Sequence, residues 1–129
     1  MNYPAASYGV SNASIRNKPF AASCGELTRM RLKKVKEALG EIEPSAEIYL
    51  YGSRARQDSR EDSDWDFLIL VDGVVDTART DRIRHRLYEI EWETDEVLSS
   101  IVRNRLEWNG PKYEAIPLRE NIEREGLPL

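Results

Sequence analysis

The chain has 129 residues, 33% of them charged and 40% hydrophobic, with a formal net charge of -4 at pH 7. That is one domain's worth of chain around a single two-layer core, and no apolar run approaches the ~18 residues of a membrane span. The acidic balance argues against a surface built to neutralise many nucleic-acid phosphates, which needs an excess of lysine and arginine, while a local field for one phosphorylated ligand remains allowed.

Residues 1–24 mix Pro, Ser, Asn, Ala and Tyr without period, and read as a flexible N-terminal segment ahead of a domain at 25–129. The segment lacks the basic-then-apolar layout of a signal peptide. The single cysteine, Cys24, has no partner for an internal disulfide, so the expected compartment is the cytoplasm. Leu32, Val35, Leu39 and Ile42 recur on one face of a helix from Glu26 to Ile42, which Pro44 ends. "AEIYLY" (46–51), stopped by Gly52, and "DFLILV" (66–71), stopped by Asp72-Gly73, read as buried strands.

Ile83, Leu87 and Ile90 mark a second amphipathic helix from about Thr77 to Glu91, and "EVLSSIVR" (96–103) is a third strand. "GPKYEAIP" is a loop, after which Pro117 opens a last helix that Gly126 closes. The order α-β-(short α)-β-α-β-α makes a small α and β layer structure.

The connection "GSRARQDSREDSDWD" (52–66) carries the chemistry. Ser53 is a natural N-cap for "SRARQ", and Gly52 before it lets an anion approach the amides of a helix N-terminus. Asp64 and Asp66 are two apart, so on a strand they share a face with Cα atoms roughly 6–7 Å apart. Like charges that close repel, and a divalent ion such as Mg²⁺, completed by water and phosphate oxygens, resolves the conflict. Each half alone is also the pattern of an ordinary polar turn. Together they form one site if the two strands are antiparallel, which brings the end of the first to the start of the second. Arg54, Arg56 and Arg60 add local positive charge, and Arg56 joins Gly52 and Ser53 as a phosphate-binding candidate.

Gly-Ser, ten residues, then Asp-x-Asp on this layout resembles the nucleotidyltransferase superfamily with the DNA polymerase beta-like fold, and in size the minimal members of bacteria and archaea. The resemblance covers about residues 27–127. It implies transfer of a nucleoside monophosphate from Mg²⁺-NTP, expected to be ATP, to an acceptor hydroxyl. Gly52 and Ser53 would bind the triphosphate, with Asp64 and Asp66 as metal ligands and catalytic carboxylates. It further implies a partner, since small members commonly pair with a HEPN-domain protein in toxin-antitoxin modules.

One departure stands out. Counting back from "RNRLEW" puts the family's third carboxylate position near Ser99, and serine neither holds Mg²⁺ as a carboxylate does nor deprotonates an acceptor. Asp95 shares Ser99's face by parity but lies about 13 Å away, and Glu96 points to the other side. Binding of nucleotide and metal is therefore expected above turnover, and the alternative is an impaired module of the same fold that acts as an antitoxin by masking its partner. His85 falls off the apolar stripe and is expected in solvent. Trp92 and Trp108 flank the third strand and could stack on a base, though core or interface is the plainer reading. Tyr49 and Tyr51 are expected to pack, and Arg103 and Arg105 to form strand-end charge pairs rather than reach a phosphate.

Overall fold

A computed structural model describes residues 25–129. The flexible segment expected at 1–24 and Cys24 lie outside the described residues. Helix α1, Glu26–Ile42, leads into strand β1, Glu47–Tyr51, the short helix α2, Ser53–Arg56, and strand β2, Trp65–Val71. Helix α3 spans Thr77–Thr94, followed by β3, Leu98–Asn104, α4, Arg105–Asn109, a 3-10 turn at Pro111–Tyr113, α5, Pro117–Glu125, and the two-residue strand β4, Leu127–Pro128.

The sheet order is β3-β2-β1-β4, with β1 antiparallel to both β2 and β4, and β2 parallel to β3. Alternation along β2 divides the core. Trp65, Phe67, Ile69 and Val71 face one side with Leu32, Val35 and Leu39 of α1 and Ile83, Leu87 and Ile90 of α3. Leu68 and Leu70 face the other with Tyr49, Trp108 of α4 and Ile122 of α5. The helical stripe expected on α1 is buried at Leu32, Val35 and Leu39, whereas Ile42 at its end is exposed.

α1 and α3 are antiparallel neighbours, clamped by ion pairs from Arg79–Glu43 at one end, through Arg86–Glu41 and Lys34–Glu93, to Arg31–Glu96 at the other. This corrects the start of the third strand. α3 continues three residues beyond Glu91, Asp95 turns the chain in the left-handed region at φ 58°, and Glu96 is drawn to Arg31, so β3 begins only at Leu98. Glu96 does lie on the side away from Ser99. α4 and β4 leave no pattern in the sequence, and both depend on partners outside themselves. Asn104 caps α4 by accepting from the Glu107 amide, and β4 forms by pairing with Tyr49 and Leu50 of β1. Gly126 does end α5, though in an extended conformation; a Cβ there would meet the Ile122 carbonyl oxygen at 2.6 Å.

Candidate active site

The antiparallel register of β1 and β2 pairs Tyr51 with Asp66, so the end of one strand and the start of the next occupy one edge of the sheet. Gly52 follows Tyr51 at φ 79°, a region that side-chain-bearing residues rarely enter. A Cβ on Gly52 would sit 2.6 Å from Asp66 Oδ2, so the carboxylate packs directly on the backbone of the turn. Glycine is required here twice over, by conformation and by contact.

The helix that opens at this turn corrects one expectation. Gly52, not Ser53, is the N-cap of α2, and Ser53 is its first helical residue. The amides of Ala55 and Arg56 both donate to Gly52 O at 3.0 Å. The amides of Ser53 and Arg54 therefore precede the intrahelical ladder, at the side where Asp66 meets the turn.

Asp66 is half-buried and Asp64, one residue before the strand, is exposed. Burial pushes the Asp66 carboxyl above the ordinary aspartate range, the charge of Asp64 pushes it further, and Arg56 partly offsets both. Two carboxylates and one arginine thus feel one another across the turn. Arg56 is exposed and shared between carboxylates, donating from Nε to Asp58 at 3.0 Å and from Nη1 to Glu125 of α5 at 3.0 Å. Arg54 behaves differently: it is buried, and its guanidinium turns into the loop, onto the Glu61 and Ser63 carbonyls.

Ser99 of β3 is the register partner of Asp66 in the parallel pair, so its side chain shares that face of the sheet. The position inferred for a third carboxylate is thus beside Asp66, and it holds a hydroxyl. Among the described residues, no group of three or more His, Cys, Asp or Glu side chains converges on a metal-sized space.

Tyr51, expected only to pack, does pack against the smaller core. It also lies across from Asp66, and its hydroxyl is pushed up to about 12 by burial and by Asp66, against an opposing pull from Arg103. The antiparallel register could have exposed this, because the residue before Gly52 must face the strand that bears the aspartates. Glu125 gave no signal in sequence, being 69 positions from Arg56.

Of the remaining candidates only Arg103 lies near enough to act on Tyr51. Trp108 is buried against Tyr113, at 5.1 Å between ring centroids, whereas Trp92 is 74% exposed on α3, on the opposite face of the sheet. His85 is in solvent, 3.8 Å from Glu89. Tyr49 is fully buried. Arg105 forms ion pairs with Glu47 at 3.0 Å and Asp72 at 3.5 Å, while exposed Arg103 donates to the Val102 carbonyl at 2.8 Å.

A Gly-Ser turn into a short helix, set antiparallel to a strand led by Asp-x-Asp in a mixed sheet backed by helices, is the layout of a polymerase beta-like nucleotidyltransferase fold. Residues 32–126 match the family model of the nucleotidyltransferase domain, and the chain belongs to that family. Among solved structures, one described as "Crystal structure of the toxin-antitoxin with AMP-PNP" is similar, with a TM-score of 0.55 at 16% identity, covering 74% of this chain and 69% of that one. At that identity the likeness is one of fold. No curated protein matches significantly. No described helix is long and apolar enough to cross a membrane.

Proposed function

We propose that this chain binds a nucleoside triphosphate, ATP by preference, together with Mg²⁺, and transfers the nucleoside monophosphate to a hydroxyl of a partner protein in the cytoplasm. The observation that carries the reading is the contact between turn and carboxylate: Asp66 lies against Gly52 so closely that a single methyl group would displace it. Phosphate-binding amides and metal-binding oxygens then address the same few ångströms.

The donor set fits a hard divalent ion, for which two carboxylates completed by water and phosphate oxygens are the usual holders. The raised proton affinity of Asp66 marks a place where a cation relieves electrostatic cost. Asp64 and Asp66 are the residues that would hold it. When bound, the ion supplies charge neutralisation on the transferred and leaving phosphate oxygens. The chain's own part is positioning. The Ser53 and Arg54 amides, with the Ser53 hydroxyl, take phosphate oxygens. Arg56 exchanges one of its two carboxylates for a phosphate oxygen, and so keeps its charge paired.

A second reading, a module that masks a HEPN-type partner without modifying it, draws on Ser99. With a hydroxyl beside Asp66 the site has no third carboxylate, free of the metal, to accept the acceptor's proton, and loss of a general base costs about 10²- to 10⁴-fold in rate. Transfer, on the first reading, is slow rather than absent.

Incubation with α-labelled ATP, Mg²⁺ and the product of the neighbouring gene tests both. The first reading expects slow labelling of the partner, abolished in Asp64→Asn and accelerated by about 10²-fold or more in Ser99→Asp. Tight partner binding with no label in either the parent chain or Ser99→Asp would establish masking instead. Absence of any calorimetric heat with Mg²⁺-ATP would overturn both.

A further inference from the structure

We propose that Arg54 is a positioning residue: it ties the loop that ends in Asp64 to the Gly52–Ser53 turn, and thereby sets the divalent-cation affinity of the site without its side chain touching ion or nucleotide. The inference rests on the reading that Asp64 and Asp66 hold the ion.

Arg54 is the residue after Ser53, and only 8% of it is exposed, a cost that a guanidinium incurs only where its donors are used. Its Nη2 donates to the Glu61 carbonyl at 3.0 Å and to the Ser63 carbonyl at 3.1 Å, and its Nε approaches the Ser63 carbonyl at 3.3 Å. The guanidinium carbon lies 4.3 Å from the centroid of the Trp65 ring, within cation-π range. Its contacts therefore fall on Glu61, Ser63 and Trp65, and the last two are the residues on either side of Asp64.

At its near end the loop is also tied to the turn, by the Asp58 amide on the Ser53 carbonyl at 3.1 Å and by Arg56 Nε on Asp58 at 3.0 Å, but few other constraints act on Glu61, Ser63 and Trp65. Arg60 and Ser63 close a small turn on themselves, through the Arg60 amide on Ser63 Oγ at 2.8 Å and the Ser63 amide on the Arg60 carbonyl at 3.1 Å. Those bonds shape the loop internally. The Trp65 amide is fixed to the Val97 carbonyl at 2.9 Å, where β2 begins. Between that anchor and α2, the Arg54 side chain bridges the phosphate-binding turn and the metal-binding loop. Because Asp66 is already seated on Gly52, the spacing of the two carboxylates depends on where Asp64 is held.

The geometry asks for arginine in particular. A planar fork can donate in its plane to two carbonyls while presenting its face to an indole, and a lysine ammonium cannot do both. Lysine retains the charge and much of the stem's packing, so its effect isolates the bridging geometry.

The test is Mn²⁺ binding to the full chain, without nucleotide, followed by electron paramagnetic resonance at room temperature. Expected for Arg54→Lys is a circular dichroism spectrum like that of the parent, with Mn²⁺ affinity about 10- to 100-fold weaker, as for loss of a group that orients a ligand. Faster amide exchange confined to residues 57–64 should accompany it. Should the lysine variant not fold, Arg54→Met, whose thioether fills the volume over Trp65, carries the same expectation. A role in stability alone would lower Tm yet leave the affinity of the folded protein unchanged, and parent-like Mn²⁺ affinity in a folded Arg54 variant would overturn the proposal. If the parent chain itself binds no Mn²⁺, or binds it equally well after Asp64→Asn and Asp66→Asn, the metal-site reading fails and this inference with it.

Discussion

Asp66 faces a conflict that its neighbours only partly relieve. Burial and the adjacent Asp64 both raise its proton affinity, so the folded chain binds that proton more tightly than the unfolded chain does. The contribution to stability is then fully present below the ordinary aspartate range and is lost as pH rises through the raised value. Asp66→Asn removes the charge, and the ligand-free variant should be more stable than the parent at neutral pH, with the difference vanishing in acid. The group keeps contact with water, so the gain stays below about 1 kcal/mol, or less than about 4–8 °C in Tm. Thermal melts from acid to neutral pH would check it, and a variant less stable at neutral pH would contradict it. The same substitution should abolish Mn²⁺ binding, and the parent's affinity should fall as acid protonates Asp66. Local sequence carried the candidate site's four central residues because Gly52, Ser53, Asp64 and Asp66 are separated by one short connection. It was silent on Tyr51's place across from Asp66 and on Glu125's contact with Arg56, which depend on strand register and on the docking of α5.

Among the elements, the two long helices and two central strands were readable because burial imposes a pattern on them: a period of 3.6 for α1 and α3, and a continuous apolar run for β2, which is covered on both faces. α4 has five residues, of which Trp108 is the buried one, and no period can be read from one position. Where α3 ends, Asp95 adopts φ 58° and its amide donates to the Glu91 carbonyl at 2.8 Å. A non-glycine residue incurs a conformational penalty there, and a negative charge at a helix C-terminus opposes the macrodipole. Both effects favour glycine. Asp95→Gly should raise stability by about 0.5–1 kcal/mol, seen as a higher urea midpoint with unchanged m. It should leave Mn²⁺ affinity alone, because α3 lies on the face of the sheet opposite the site.

At the scale of the whole molecule, one sheet separates two unequal layers. The larger, with α1 and α3, supplies most of the buried apolar surface, and the smaller, with α4 and α5, leaves the edge near Asp66 uncovered. The smaller layer is pinned by a pair between a buried carboxylate and a partly buried arginine. Glu47 of β1 accepts from the Tyr49 hydroxyl at 2.8 Å and pairs with Arg105 of α4, which also donates to the Ser45 carbonyl at 2.5 Å. Arg105→Met would remove that cation from beside a buried carboxylate, at a cost of about 1–3 kcal/mol. Adding Glu47→Gln should restore part of the loss, so that the double variant is less destabilised than the sum of the singles. Urea denaturation of the four proteins measures the coupling, and simple additivity would show that the pair does not act as one.

The sequence by itself determined the class of fold, and it wrote both halves of the candidate site, Gly52-Ser53 and Asp64-x-Asp66, into one short connection with regular spacing. Tertiary structure alone decided that Asp66 sits on the Gly52 backbone, that Arg54 turns inward to the Asp64 loop while Arg56 stays outside, and that Ser99 is Asp66's neighbour in register. The physical reason is that a side chain's direction follows from strand pairing and from which carbonyls remain to be satisfied. Both are set by contacts between residues far apart in the chain.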